Sequence, residues 1–500
     1  MPESNHLISR LKTASFGREG EVFAYLQDGR EVTFGALFEG AAKAAGALVS
    51  MGLSPGDRVA VQVEKTMESI QLYLGTVMAG GIFLPLNTAY TVSELDYFLG
   101  DAKPRVVVCD PQKSDPIRAI ARDATVVTLD RKGQGSFSEI VSSCVPLEPL
   151  PRDADDLAAI LYTSGTTGRS KGAMLSHNNL ASNSEMLRDY WQFTQDDVLI
   201  HALPIFHTHG LFVATNVALL AGASIVFLPK FDADAILEAM PKATALMGVP
   251  TFYTRLLDDT RLTKERAANM RLFISGSAPL LVDTHEKWEE RTGHRILERY
   301  GMTETNMSTS NPYDGDRRAG TVGFPLPGVE AKIMLDGKEL ETGETGVLWV
   351  RGANVFKGYW KMPEKTAEEL MEDGWFITGD LARIDADGYV TIVGREKDLV
   401  ITGGFNVYPK EVESLIDDMG GVKESAVIGV PHKDFGEGVV AVVVTEQQGT
   451  TVEAIAAKLE TELAKFKQPK RIVIVDALPR NTMGKVQKKA LRETYANLFA

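Results

Sequence analysis

The chain has 500 residues, 44% of them apolar and 24% charged, the balance of an ordinary globular protein. Its formal charge of −14 at pH 7 argues against nucleic acid or an anionic membrane as partner, and requires any phosphate site to be built locally from Lys, Arg and backbone N–H groups. Two cysteines, Cys109 and Cys144, exclude a disulfide framework and a cysteine metal centre, and fit a reducing, cytoplasmic setting.

The first residues, Met1-Pro2-Glu3-Ser4-Asn5-His6, carry no apolar stretch of the signal-peptide kind, and no apolar run approaches the ~18 residues of a membrane span. Phe34 to Gly52 has apolar residues at helical spacing and closes on a glycine. Asp57 to Val63 reads as a strand, Ser69 to Met78 as a helix and Gly81 to Leu86 as a strand. Arg105-Val106-Val107-Val108-Cys109 has the continuous apolar character of a strand in a parallel sheet. This α/β alternation persists to about residue 320. Beyond it, Asp336-Gly337, Asp373-Gly374 and Asp387-Gly388 separate short strand patterns, predicting hairpins and a small barrel-like region.

A last segment starts near Gly394. It predicts a helix from Pro409 to Met419, with Val412, Leu415, Ile416 and Met419 on one face. Strands at Ser425–Val430 and Val439–Val444, a helix from Val452 to Phe466 and a strand at Arg471–Val475 complete it. The expected fold class is α/β: a large N-terminal domain over residues 1–394 that includes the barrel-like region, then a small mobile α+β domain over residues 395–500.

The richest segment chemically is Ile160-Leu161-Tyr162-Thr163-Ser164-Gly165-Thr166-Thr167-Gly168-Arg169-Ser170-Lys171-Gly172. Glycines let backbone N–H groups approach phosphate oxygens, while the hydroxyls and Lys171 add donors and charge. A Walker A loop is excluded because Ser170 precedes Lys171 and a strand pattern follows, and no dinucleotide fingerprint is present. The loop resembles the Tyr-Thr-Ser-Gly-Thr-Thr-Gly-x-Pro-Lys-Gly signature of the adenylate-forming superfamily of acyl-CoA synthetases, adenylation domains and luciferases. It departs at one place, where Ser170 replaces proline.

Further motifs follow in that superfamily's order. In Glu298-Arg299-Tyr300-Gly301-Met302-Thr303-Glu304-Thr305, Tyr300 could stack on a purine, Thr303 bond a phosphate or carboxylate, and Glu304 hold a hard cation. The resemblance implies adenine stacking for Tyr300, α-phosphate contact for Thr303 and Mg²⁺ for Glu304, with Thr163 a second metal contact and Ser277, Ala278 and Pro279 beside the nucleotide. Trp375-Phe376-Ile377-Thr378-Gly379-Asp380-Leu381 resembles the ribose-binding segment, implying that Asp380 accepts from the ribose hydroxyls; in isolation Asp380 also suits a turn cap. Gly394-Arg395-Glu396-Lys397-Asp398 resembles the stretch in which an arginine, here Arg395, touches ribose and the hinge follows, here Lys397. Pro479-Arg480-Asn481-Thr482-Met483-Gly484-Lys485 resembles the catalytic-lysine motif, implying that Lys485 bridges the substrate carboxylate and the α-phosphate. Rotation of the small domain would then bring Gly403-Gly404-Phe405 to line a pantetheine channel.

A dicarboxylate needs a fixed cation for its second charge. Gly248-Val249-Pro250-Thr251-Phe252-Tyr253-Thr254-Arg255-Leu256 predicts a helix start with Arg255 one turn in, and the strand and turn Leu272–Pro279 bring Ser277 nearby. Arg255 also suits a surface salt bridge and Ser277 a turn cap. The chain resembles the malonyl-CoA synthetase branch, including Pro204-Ile205-Phe206-His207-Thr208-His209-Gly210. This implies a distal carboxylate held by Arg255 and Ser277, with His209 and Met302 beside the acyl group.

The resemblance implies ATP-dependent ligation of malonate, and also methylmalonate, to coenzyme A through an acyl-adenylate, with ATP, Mg²⁺ and coenzyme A as cofactor and co-substrates. The partners are then small molecules, with acetylation of Lys485 by a lysine acetyltransferase as a means of control. A short-chain or aryl acyl-CoA synthetase, a stand-alone adenylation enzyme serving a carrier protein, a luciferase-like oxidase and a non-catalytic nucleotide sensor remain as alternatives.

Overall fold

The computed structural model describes residues 5–163, 170–402, 405–432, 435–446, 449–463, 465–481 and 484–499. Two large sheets carry the N-terminal part. In the first, Thr125–Thr128, Val106–Cys109, Arg58–Gln62, Ile82–Pro85 and Leu157–Thr163 run parallel, and Lys171–Ser176 closes the edge antiparallel. Both faces are covered, which is why these strands are apolar at successive positions. Cys109 lies inside, its thiol pushed up to about 11 by burial.

The second sheet has nine strands. Its parallel centre runs Leu297–Met302, Leu272–Ser275, Ala245–Gly248, Val198–His201, Ser224–Phe227 and Val22–Leu26. One continuous apolar core serves both sheets, centred on large residues such as Tyr73, Trp191, Tyr253 and Trp288.

The Gly- and Asp-rich stretch predicted to form hairpins is a five-stranded antiparallel sheet built on Val329–Leu335, Gly346–Gly352, Phe376–Ile384 and Val390–Arg395. Asp336 and Gly337 both take positive φ, 49° and 75°, at its first tight turn, the conformation an Asp-Gly pair tolerates best. From Val400 onward the chain has apolar clusters of its own on the two faces of a sheet centred on Gly436–Thr445. Among the described residues no helix is long and apolar enough to cross a membrane.

Candidate active site

The C-terminal ends of the parallel strands in the nine-stranded sheet converge on one cleft, where doubly wound sheets place their ligands. After Val198–His201 the chain turns through Pro204 into a π-helical stretch, His209–Thr215. Gly210 must be glycine there, because a Cβ would meet the Pro204 carbonyl oxygen at 2.0 Å. His209 is thereby presented to Ser277, whose Oγ lies 3.3 Å from Nδ1. Ser277 has φ 71°, a left-handed conformation uncommon outside glycine, which marks a constrained turn.

Behind that turn lies Arg299, on the strand Leu297–Met302 and 3% exposed. A Cβ on Gly276 would meet the Arg299 Cζ at 2.4 Å, so Gly276 is what lets the guanidinium pass under the turn. Burial pushes the Arg299 pKa down to about 9, and its Nε and Nη2 have no partner among the described residues. The same holds for His207 Nε2, Thr208 Oγ1, His209 Nε2 and Ser275 Oγ. Burial, followed by the charge of Lys485, pushes His207 down to about 3, and burial with Arg299 keeps His209 well below the usual range, so both imidazoles are neutral at working pH. Unpaired buried polar groups cost about 1–3 kcal/mol each, so this cluster is built for a polar guest.

The second wall is the hairpin Leu157–Thr163 and Lys171–Ser176, in which Thr163 pairs with Lys171. Thr163 Oγ1 donates to the Lys171 carbonyl at 3.4 Å. Lys171 Nζ lies 3.1 Å from Glu369 Oε2 and 4.1 Å from the centroid of the Tyr359 ring. The Tyr359 hydroxyl lies 3.0 Å from Glu304 Oε1 and 2.6 Å from Glu369 Oε2. Glu304 is buried on the turn between Leu297–Met302 and Asn306–Ser310, and desolvation raises its carboxyl above the ordinary range. Burial would also raise Glu369, but hydrogen bonds from Tyr359 and Lys365 and the charge of Lys171 hold it below that range. A lone, buried, acceptor-rich carboxylate such as Glu304 suits a hard divalent cation.

Asp380, 3% exposed, faces Arg395 across paired strands, with Arg395 Nε 2.5 Å from Oδ1. Tyr300 donates its hydroxyl to Asp380 Oδ2 at 2.5 Å, and Met302 Sδ lies 3.8 Å from that hydroxyl. Asp380 is thus an interior strand residue and not a turn cap.

The small domain supplies Lys485 from a tight turn. Gly484 takes φ 74°, and the Lys485 N–H donates to Asn481 Oδ1 at 2.9 Å. A Cβ on Gly484 would lie 3.8 Å from Thr251 Cγ2, so this turn sits at the mouth of the cleft. Lys485 remains solvent-accessible, yet its ammonium feels Arg395, Asp380, Arg299 and Glu304 together. Enclosure by the cleft walls, then Arg395, pushes its pKa down; Asp380 and Glu304 act the other way.

Of the residues singled out from sequence, contacts link Thr163 to Lys171, Tyr300 to Met302, Asp380 and Arg395, and His209 to Ser277, while Lys485 feels the charges of Asp380, Arg395 and Glu304. Thr303 lies on the same turn as Glu304, and Ala278 and Pro279 continue the Ser277 turn. Lys397 lies exposed in the single turn Glu396–Asp398. Ser164, Gly165, Thr166, Thr167 and Gly168 lie outside the described residues, as do Gly403 and Gly404. Phe405 is exposed and stacks on Phe466.

Arg255, expected to hold a carboxylate beside Ser277, lies on the helix Pro250–Leu257. In the helix Pro250–Leu257, Phe252, Tyr253 and Leu256 face the core, and Tyr253 is tied to the Ile274 carbonyl at 2.6 Å. Arg255 is exposed on the same helix face as Thr251, one turn on, with its guanidinium 5.5 Å from the Phe231 ring. A second cation, Arg299, lies buried against Gly276, next to Ser277 in sequence; sequence reasoning passed it over. Its signal was an arginine inside a strand otherwise buried, where charge is rare without a purpose. Tyr359 and Glu369 carry no such signal.

The sequence matches the AMP-binding enzyme family over residues 13–360 and the AMP-binding enzyme C-terminal domain over residues 411–485. It is 37% identical over 484 residues to the malonate–CoA ligase of Arabidopsis thaliana, an alignment covering 89% of this chain and 79% of that protein. Its structure resembles ATP-bound MatB from Rhodopseudomonas palustris with a TM-score of 0.97 at 60% identity over 99% of both chains. Apo MatB from the same organism gives a TM-score of 0.86 at 61% identity, again over 99% of both. The arrangement described above is thus nearer to the ATP-bound form.

Proposed function

This chain belongs to the AMP-binding enzyme family, and on that premise we propose that it ligates malonate to coenzyme A through a malonyl-adenylate, releasing AMP and pyrophosphate. The observation that carries the choice of acid is Arg299: a buried guanidinium with two nitrogens unpartnered among the described residues, against Gly276 and close enough to His209 for its charge to be felt. A monocarboxylate would leave that cation unpaired, whereas a second carboxylate answers it with charge-assisted hydrogen bonds. Methylmalonate carries the same pair of carboxylates and is expected as a second substrate.

In this reading one malonate carboxylate lies against Arg299 and Ser277, and the other points toward Lys485. ATP lies along the Thr163–Lys171 hairpin with its ribose at Asp380 and Arg395. Tyr300, anchored through Asp380, forms a wall of the purine pocket. The free carboxylate attacks the α-phosphorus, the bond to the β-phosphate oxygen breaks and pyrophosphate leaves. Lys485 offsets the charge that develops on the α-phosphate. Glu304, with the Thr163 hydroxyl nearby, would hold Mg²⁺, which supplies further neutralisation of the polyphosphate. His207 and His209, both neutral, act as polar walls of the pocket.

We place the domain boundary at residues 394 and 395, with the hinge at Lys397, because the apolar clusters of the small domain begin only at Val400. Turning about that hinge withdraws Lys485 and admits the thiol of coenzyme A past Phe405. The thiol sulfur then attacks the acyl carbon, and AMP leaves with the bonding electrons.

The test is AMP release with ATP, Mg²⁺ and coenzyme A across malonate, methylmalonate, succinate, acetate, butyrate and benzoate. Turnover is expected with malonate and methylmalonate, and a preference for acetate, butyrate or benzoate would overturn the dicarboxylate reading. Arg255→Ala, run alongside, is expected to change malonate kcat/KM by less than about threefold, as befits an exposed cation. Collapse of malonate turnover in that variant would put the second carboxylate at Arg255 after all.

A further inference from the structure

Lys171 is held by a constellation that the reaction above leaves without a task. Its ammonium lies 3.3 and 3.1 Å from the two carboxylate oxygens of Glu369 and over the face of Tyr359. Glu369 is itself anchored twice more: Lys365 Nζ reaches Oε1 at 2.9 Å and the Tyr359 hydroxyl reaches Oε2 at 2.6 Å. Tyr359 in turn is fixed by backbone bonds, its N–H donating to Thr366 Oγ1 at 2.8 Å. The carboxylate therefore cannot follow Lys171 if the lysine swings away. Both partners are only partly exposed, 17% for the Lys171 side chain and 23% for Glu369, so water does little to weaken the pair. Yet Lys171 is the charged residue of the phosphate hairpin among its described positions, and a bound polyphosphate would need it.

We propose that Glu369 is an anionic stand-in for the leaving group. It holds Lys171 while the site is empty, yields it to the β- and γ-phosphates of ATP, and recaptures it as pyrophosphate departs. This rests on the reading that ATP lies along the hairpin. The exchange swaps one charge-assisted pair for another, so Lys171 is never left as an uncompensated, partly buried cation. Recapture competes with rebinding of pyrophosphate, as it competes with binding of ATP. Because AMP has neither β- nor γ-phosphate, the exchange discriminates: ATP and pyrophosphate must displace Glu369, and AMP need not.

The test is isothermal titration of ATP, pyrophosphate and AMP, each with Mg²⁺ and without acid or coenzyme A, into wild type, Glu369→Gln and Glu368→Gln. Glu369→Gln is expected to tighten ATP and pyrophosphate about fivefold, the scale of one partly screened ion pair, and to leave AMP unchanged. Glu368→Gln removes the same charge from the same helix, next to Lys365 but without contact to Lys171, and is expected to change none of the three. Weaker or unchanged pyrophosphate binding in Glu369→Gln would overturn the proposal, since Glu369 would then only orient Lys171 or do nothing. Equal tightening by Glu368→Gln would reduce the effect to a general field and overturn it too. A wild type that binds none of the three would remove the nucleotide site itself. Glu369→Ala carries the same expectations should the glutamine variant fail to fold.

Discussion

Replacing Arg299 with methionine is expected to lower kcat/KM for malonate about 10³-fold, roughly 4 kcal/mol, while making the empty protein more stable. The two effects share one cause. Arg299 is buried, desolvated and, among the described residues, unpartnered at Nε and Nη2, so the folded chain bears the cost of an uncompensated cation until an anion arrives. Methionine fills a similar volume without charge and is expected to raise the unfolding free energy by ~1–3 kcal/mol, read from the urea midpoint at constant slope. Acetate and butyrate, which have no second carboxylate, should turn over no worse in the variant than in wild type. Loss of stability together with retained malonate turnover would show that Arg299 is a structural cation with an undetected partner.

Lys485→Ala is expected to separate the two halves of the reaction. Exchange of radiolabelled pyrophosphate into ATP should fall about 10²–10³-fold, the usual scale for losing one preorganised donor to a developing charge. Conversion of supplied malonyl-adenylate to thioester should persist, because the ammonium is withdrawn in that half. The pH dependence follows from the surroundings of Lys485. Cleft enclosure and Arg395 lower its pKa, so the ammonium is lost at a lower pH than that of an ordinary lysine. Adenylation in the wild type should therefore decline on the alkaline side below the usual lysine range, and thioester formation from supplied adenylate should lack that limb. Equal loss of both halves in the variant, or a shared limb, would assign Lys485 to both steps.

Local pattern made much of this legible. The helix Phe34–Ser50, the strands Arg58–Gln62 and Val106–Cys109, and the strand Arg471–Val475 fall within a few residues of their predicted limits, because apolar period and terminal glycines act over short range. The loop with Lys171 stands out because donors and glycines cluster within a dozen residues, whereas the turn with Tyr300 and Glu304 is singled out by its resemblance to the adenylate-forming superfamily. What stayed hidden depends on tertiary approach. Arg255 shares its helix face with Thr251, while Phe252, Tyr253 and Leu256 pack inward. Arg299 lies buried under the Ser277 turn because Gly276 has no Cβ to block it across neighbouring strands. Glu369 meets Lys171 over 198 positions of chain, a separation at which no periodicity speaks.

The site gathers four cations, Lys171, Arg299, Arg395 and Lys485, against three carboxylates, Glu304, Glu369 and Asp380, on a molecule whose net charge is −14. Such a distribution sorts solutes before any bond is made. Long polyanions meet repulsion over most of the surface, while a compact dianion is drawn in only where low-dielectric walls focus the field. Screening acts over about 8 Å at physiological ionic strength, so capture is decided within the last few molecular diameters of approach. The acidic exterior repels anions of every size at long range, so admission rests on the local cations of the site.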